Sequence, residues 1–293
     1  FSSWLVLVFY TILGLLLLSD KSKLKFSIIA SLLVIIIYLI YANLRINIME
    51  ITFLSVGNTD CTHIESSDGS NILIDVGIEN QFNRTTSLRV VPYLKRKNIQ
   101  VIDLMIISDP INKSHKAIET ILNNFKVKRI VVYDKNEISG KLENSIIENK
   151  TIVDELKYIN NIKGFGGLEL LFIRNKSDSN NALIKLVYNK NSILFTGKSE
   201  IVHEKYFLEN QKENLKSDVI KIAKYGSEKS SSIEFLSEVN PSLSVISTSG
   251  TPDKNLPSLS VIKRLEMLNS LVYRTDECGA IVLECDGTKI NIE

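Results

Sequence analysis

Two stretches at the start of the chain carry no charged residue, Phe1 to Ser19 and Phe26 to Leu44. A helix over 19 residues is about 28 Å long, close to the hydrocarbon thickness of a bilayer. Trp4, Tyr10, Tyr38 and Tyr41 include residues suited to a membrane interface. No small-residue cleavage site follows the first run, which argues against a signal peptide ahead of a core helix. The pattern therefore predicts two transmembrane helices over residues 1–45. The link between them, Asp20 to Lys25, holds Lys21, Lys23 and Lys25, and such a basic loop marks the cytoplasmic side. Everything after Arg45 is then expected on the outer face of the membrane. The chain opens on Phe1 rather than Met, which is read as the C-terminal part of a longer membrane protein whose upstream helices also bear on orientation.

From Ile46 the pattern changes to short β segments between polar turns. Ile51-Thr-Phe-Leu-Ser-Val56 alternates with period two, Thr62 to Glu65 forms a middle strand, and Ile72 to Asp75 follows a turn at Ser67 to Gly69. Thr85 or Thr86 is expected to cap a helix running through Val90, Val91 and Leu94 to Asn98. Ile102 to Ile107 and Arg129 to Tyr133 read as buried strands around a helix from His115 to Phe125. Residues 135–165 are rich in Lys, Glu and Asn and read as short strands with long loops. Beyond them come a strand at Leu168 to Ile173 and a hairpin, Ala182 to Tyr188 with Ser192 to Thr196. A helix at Ile201 to Leu208, a strand at Val219 to Ile222, a helix at Ser232 to Val239, a strand at Leu243 to Ile246 and a helix at Pro257 to Leu268 follow. A last hairpin, Ala280 to Glu284 with Lys289 to Ile292, turns at Asp286-Gly287. Strand clusters and helices thus occur twice, which predicts a four-layer α/β/β/α sandwich over residues 46–293.

Charge changes this picture little. The net charge of +2 argues against wholesale non-specific nucleic-acid binding but allows a local basic patch. Cys61, Cys278 and Cys285 form no Cys/His cluster of the zinc-knuckle kind. Cys278 and Cys285 can be drawn together across a hairpin, but buried free thiols are the preferred reading. No phosphate-binding glycine loop and no nucleophile elbow occurs, and Gly164-Phe-Gly-Gly167 has no helix after it.

Several segments, in order, resemble the metallo-β-lactamase-like domain of the ComEC family, the DNA-uptake channels of naturally competent bacteria. Ile51-Thr-Phe-Leu-Ser-Val-Gly-Asn-Thr-Asp60 and Ile72-Leu-Ile-Asp-Val-Gly77 resemble its opening, where Val-Gly-Gln-Gly-Asp and Leu-Ile-Asp-X-Gly are usual. Val91-Pro-Tyr-Leu-Lys95 resembles its next helix, and Leu194-Phe-Thr-Gly197 its Phe-Thr-Gly-Asp turn. Lys221-Ile-Ala-Lys-Tyr-Gly-Ser227 resembles its Lys-Val-Gly-His-His-Gly-Ser. Tyr273 to Ile281 resembles its closing Tyr-Arg-Thr-Asp-X-Asp-Gly-Ala-Ile. The resemblance covers residues 50–292 and implies a fold that in typical members holds two divalent metal ions and is thought to cleave incoming DNA.

The same resemblance shows where the chemistry fails. The family's metal loop, Ser-His-Pro-His-X-Asp-His, here reads Ser108-Asp-Pro-Ile-Asn-Lys-Ser114. Asp109, Ile111, Lys113 and Ser114 thus stand at ligand positions. Lys198 stands where the metal-bridging carboxylate is expected, and Lys224 and Tyr225 where the His-His pair is expected. A zinc centre needs three or four converging N, S or O donors; Ile offers none, and a protonated Lys repels the ion. A slipped loop could bring His115 inward, although a helix-start surface position suits it better. His63 and His203 match no ligand position. Asp60 and Asp75 are the retained acidic residues, expected beneath the metal loop as turn-holding groups near Gly57 and Gly77. Two readings of Lys113, Lys198 and Lys224 stay open. They contact phosphate as point charges, or they fill the emptied cavity, pair with Asp109, Asp75 or Asp60, and reach for water.

No metal, cofactor or catalytic residue is therefore expected. The preferred reading is a catalytically silent, membrane-anchored scaffold for DNA uptake. Its partners would be DNA, the membrane, the remaining channel helices of the parent protein and other competence proteins. Two alternatives are a live metal-dependent nuclease with altered ligands and a membrane-tethered structural paralogue with no DNA role.

Overall fold

The computed structural model describes residues 26, 28–38, 48–108, 114–175, 182–250 and 255–293. The chain divides into two units, Phe1–Asn47 and Ile48–Glu293. In the first, residues 28–38 are helical, and Ile28, Ile29, Leu32, Leu33, Val34, Ile35, Ile36 and Ile37 are all exposed. Ser31 bonds back to Ile28 O within the helix, so the segment has no charged or broad polar face to give to water. Among the described residues no helix is long and apolar enough to cross a membrane. The expected span at residues 1–19, its lysine link and the end of the second span lie outside the described residues.

The second unit is two large sheets with helices outside and one small two-stranded sheet. Its first half runs β1 (Met49–Phe53), β2 (Thr62–Glu65), β3 (Asn71–Ile74), α1 (Val91–Arg96), β4 (Val101–Ile102), β5 (Leu104–Ile106), α2 (His115–Leu122), β6 (Lys126–Val127), β7 (Arg129–Val132), α3 (Gly140–Asn149) and β8 (Ile152–Glu155). Its second half runs β9 (Asn161–Gly164), β10 (Leu168–Arg174), β11 (Ala182–Tyr188), β12 (Asn191–Phe195), α4 (Ile201–Asn210), β13 (Val219–Lys221), α5 (Ile233–Val239), β14 (Leu243–Ile246), α6 (Leu259–Met267), β15 (Leu271–Arg274) and α7 (Thr275–Cys278). The hairpin β16 (Ile281–Cys285) and β17 (Ile290–Ile292) closes the chain.

One sheet has the order β17-β16-β1-β2-β3-β5-β7-β8 and the other β15-β14-β13-β12-β11-β10-β9. Each is antiparallel over one part and parallel over the other, the change falling at β3 in the first sheet and β12 in the second. The closing hairpin returns to the first sheet, β16 pairing with β1 from Met49↔Cys285 to Phe53↔Ile281.

Alternation along the strands assigns the layers. Ile72 and Ile74 of β3 enter the core between the sheets, as do Leu104 and Ile106 of β5 and Ile193 and Phe195 of β12. Leu73 and Met105 between them face Leu94, Ile118 and Ile121 of the first helical layer. Leu194 and Ile220 face Phe207, Phe235 and Leu265 of the second. Phe53 and Phe195 meet across the inter-sheet core with ring centroids 6.0 Å apart. Sheets apolar on both faces must be covered on both, and the helices do this.

Four local expectations change. Within residues 135–165, α3 replaces a loop: Leu142 and Ile146, four residues apart, bury one face of an otherwise polar helix. The helix expected from Thr85 or Thr86 does begin there, Thr85 standing at the N-cap position of a turn, Thr86–Val90, that runs on into α1, but neither hydroxyl caps it. Thr85 Oγ1 exchanges hydrogen bonds with Ile78 N (2.9 Å) and O (3.1 Å), and Thr86 Oγ1 donates to Val76 O (2.8 Å), so both fasten the loop after β3. Strand β15 and the short α7 occupy residues read only as part of a motif. All three cysteines are free, but Cys278 is exposed while Cys61 and Cys285 are buried.

Candidate functional site

Loops from the ends of β1, β3, β5, β12 and β13 meet around a cavity of about 20 Å³, lined in part by Asp60, Asp75, Ser108, Gly197 and Lys221. That is room for roughly one water molecule. Lys221 arrives there by strand periodicity. In β13, Val219 faces the inter-sheet core and Ile220 the helical layer, so the next residue faces between the sheets again. Lys221 is 5% exposed, and its ammonium donates to Asp60 Oδ1 at 2.5 Å. The Asp60 carbonyl accepts from Gly77 N at 2.9 Å. Asp60 therefore holds the second sheet through its carboxylate and the loop after β3 through its backbone.

Asp75 ends β3 in a left-handed conformation, φ 59°, which Asp tolerates better than most residues. Its carboxylate accepts from Ser108 N (2.8 Å) and Ser108 Oγ (2.6 Å), and its own N–H donates to Ile106 O (2.8 Å). The start of the degenerate loop is thus tied to β3. The Asp60 and Asp75 carboxylates thus serve Lys221 and Ser108, residues far away in sequence. Cys61 is buried beside them, and burial, then the Asp75 and Asp60 charges, push its thiol well above the usual range. Such a thiol is a poor nucleophile.

Asp109, Ile111 and Lys113 lie outside the described residues. Ser114 is half-buried and precedes α2 without a side-chain capping bond. Lys198 follows Gly197 in the turn after β12. Lys224 and Tyr225 both adopt left-handed backbone, φ 47° and 61°, a run that costs on the order of 1–3 kcal/mol per non-glycine residue. Lys224 N donates to Gly197 O at 3.1 Å, so this strained turn is pinned to the β12 turn. Its side chain pairs with Glu200, which holds the Glu200 carboxyl below its usual range. Both members are about one third exposed, so the pair adds little stability. Gly226 next to it has φ 80°, and a Cβ there would lie 2.5 Å from Pro257 Cβ, so no other residue fits without displacement.

The histidines are engaged elsewhere. His63 sits between the Tyr93 hydroxyl and Asn71 Oδ1, each at 3.0 Å, and burial pulls its pKa down to about 4. His115 Nε2 meets the Glu137 carbonyl at 3.0 Å, which orients the ring towards the residues before α3. His203 accepts from Glu200 N at 3.0 Å in a reciprocal cap of α4.

The donor set does not fit a dinuclear centre of divalent ions. An ammonium sits 2.5 Å from one of the two carboxylates, Ser108 donates two hydrogen bonds to the other, and lysines occupy two more positions. Among the described residues, no three His, Cys, Asp or Glu side chains are grouped to hold a metal ion. Sequence reasoning missed the Asp60–Lys221 pair, whose members are 161 positions apart. The available signal was a lysine inside the apolar run Val219-Ile-Lys-Ile222.

The two sheets, their outer helices and the loops at one end define a metallo-β-lactamase fold. The metallo-β-lactamase fold protein YhfI from Bacillus subtilis superposes with a TM-score of 0.52 at 11% identity, over 81% of this chain and 99% of that one. CmlA, a diiron β-hydroxylase from Streptomyces venezuelae, superposes with a TM-score of 0.54 at 12% identity, over 81% of this chain and 54% of that one. At such identities the likeness concerns the fold alone. No family model matches the chain. Its sequence is 25% identical to Recombination protein 2 of Haemophilus influenzae over 233 residues, 79% of this chain and 28% of that protein. It is 24% identical to ComE operon protein 3 of Bacillus subtilis over 202 residues, 66% of this chain and 26% of that protein. The chain is a distant homologue of the ComEC/Rec2 competence proteins and spans about a quarter of the length of these relatives.

Proposed function

We propose that the chain is the membrane-anchored, catalytically silent end of a ComEC-type DNA-uptake protein. Residues 1–45 form two transmembrane helices, and residues 46–293 form a scaffold on the outer face that contacts DNA, the remaining channel helices and other competence proteins. Two features support the anchor: the uncharged runs and the helix at residues 28–38, uncharged and with its large aliphatic side chains exposed. The observation that carries the silent site is Lys224 on Glu200, at a position where the resemblance calls for a metal-binding histidine. Metallo-hydrolase chemistry in this fold depends on an ion that lowers the pKa of water to about 7. No ligand set for one is assembled from the described residues.

The test uses the full chain in detergent. Plasma emission analysis is expected to find well under one zinc or manganese per chain, and nuclease assays with added manganese should match a buffer control. Near-stoichiometric metal, with cleavage abolished by Asp109→Ala, overturns the proposal in favour of a live nuclease. DNA binding should weaken as salt rises, and replacing Lys113, Lys198 and Lys224 with Gln should weaken it further. No binding at any salt concentration leaves a tethered structural domain without a DNA role.

A further inference from the structure

Among the described residues of the second unit, the most exposed large apolar side chain is Phe82, at 89%. It is held on a short, internally fastened projection. Glu79 and Arg84 bridge as an antiparallel pair and form an ion pair at 3.1 Å. Asn80 N donates to Asn83 O at 2.7 Å, and Asn80 Oδ1 accepts from Phe82 N (2.9 Å) and Asn83 N (2.8 Å). The Glu79 carboxylate also takes Ser87 N (2.9 Å) and Ser87 Oγ (3.0 Å), which anchors the base of the projection. A phenylalanine is thus presented to solvent on a backbone that is already organised.

Beside it lies an open cleft of about 530 Å³ whose walls include Gly57, Asn58, Asn80, Phe82, Arg89 and Ser249. That volume is within the ~300–1,000 Å³ range of small-ligand sites. Among the described residues lining it, Arg89 is the one ionised side chain; no carboxylate faces in. One Arg89 nitrogen donates to Ser55 O at 2.5 Å, which fixes the guanidinium at the wall; a guanidinium has five N–H donors. The cleft shares its loops with the degenerate site: Gly57 and Asn58 precede Asp60, and the loop after β3 runs from Asp75 to the Phe82 projection.

An exposed aromatic ring, amide walls and one fixed cation suit a ligand with a flat π face, edge hydrogen-bonding groups and a negative charge. A lipid bilayer suits it less, because Asn80 and Asn83 flank the ring and would lose water on insertion. We propose that this cleft binds single-stranded DNA, with an unpaired base stacked on Phe82 and the adjoining phosphate against Arg89. The inference rests on the DNA-contacting reading above and names a site for it. Single strands are required because a base paired in a duplex has no free face for Phe82.

The test measures binding of the full chain in detergent to a fluorescent oligothymidylate, by anisotropy. Phe82→Ala should weaken binding roughly five- to 150-fold, the range for loss of one stacked base, with an unchanged melting temperature because the side chain is exposed. Phe82→Trp should restore affinity, and the emission it adds to that of Trp4 should be quenched on saturation. Arg89→Gln should weaken binding and lower its salt dependence. Binding to a duplex of matched length should not respond to Phe82→Ala. If the wild-type chain binds the oligonucleotide and Phe82→Ala binds equally well, the stacking site is wrong and the DNA reading survives. If the wild type binds no DNA, both fall. Loss of binding to phosphatidylglycerol-containing vesicles in Phe82→Ala, with DNA affinity unchanged, makes the ring a membrane contact and overturns the proposal.

Discussion

Removing the Asp60 carboxylate is expected to cost more than removing the Lys221 ammonium that it holds. Asp60→Asn leaves an uncompensated ammonium on a residue only 5% exposed, with only neutral acceptors, the amide oxygen at position 60 and Ile222 O at 3.4 Å. Lys221→Met instead leaves a carboxylate whose side chain is 16% exposed and can recruit water. Breaking a buried pair from one side costs about 3–5 kcal/mol. Asp60→Asn should fall in that range, and Lys221→Met about 1–2 kcal/mol below it. Replacing both removes the buried charge, and the double variant should regain most of the loss. For a domain of this size each kcal/mol moves the melting temperature by roughly 2–4 °C. Asp60→Asn alone should therefore lower it by roughly 6–20 °C. Thermal unfolding of the four proteins in the double-mutant cycle, followed by circular dichroism, measures the coupling directly. Additive single effects, or an Asp60→Asn loss below about 1 kcal/mol, would refute the argument that this pair ties the two sheets together.

Three further outcomes follow from named groups. His63 is expected to make the fold acid-sensitive. Its pKa in the folded state, about 4, lies below the value near 6.5 of an open chain, so its contribution is full above pH 6.5 and lost as pH falls towards 4, by about 3 kcal/mol. Urea midpoints against pH should show a shallower acid fall in His63→Gln than in wild type; parallel curves would exclude His63 as the cause. Glu204 is buried and accepts from Ser231 N, from Ser232 N at 2.8 Å and from Ser232 Oγ at 2.6 Å. Glu204→Ala, which orphans all three donors, should cost about 2–4 kcal/mol, and Glu204→Gln distinctly less, in denaturant titrations. For topology, an impermeant maleimide on intact cells should label Cys278, which is exposed, and should not label a cysteine introduced at Ser22; the reverse pattern would invert the proposed orientation.

Much of the fold was legible because burial is written locally. A period-two run located β1, apolar runs between turn residues located β2, β3, β11 and β12 to within a few residues, and α2, α4, α5 and α6 were read in nearly their observed places. The order of those elements, with the quoted motifs, predicted the four layers. Helix α3 escaped because only Leu142 and Ile146 are buried among its ten residues, too few to give a period in a Lys- and Asn-rich stretch. Thr85 and Thr86 marked the helix start correctly but not their own bonds, because a hydroxyl serves a helix N-terminus or a neighbouring loop equally well, and the loop at Val76 to Ile78 took both.

The sequence by itself determined which positions are apolar, which metal-ligand residue types are replaced, and that Asp60 and Asp75 survive. Those are properties of a residue and its immediate neighbours. Only the tertiary structure decided the pairings: Asp60 with Lys221, Asp75 with Ser108, and Lys224 with Glu200 rather than with a site aspartate. It also decided that Cys278 faces solvent and that Phe82 stands exposed beside a cleft without carboxylates. Such pairings depend on which strand ends the two sheets bring to one edge, and that arrangement is set by burial summed over the whole chain. No single segment carries a signal for a partner 161 positions away.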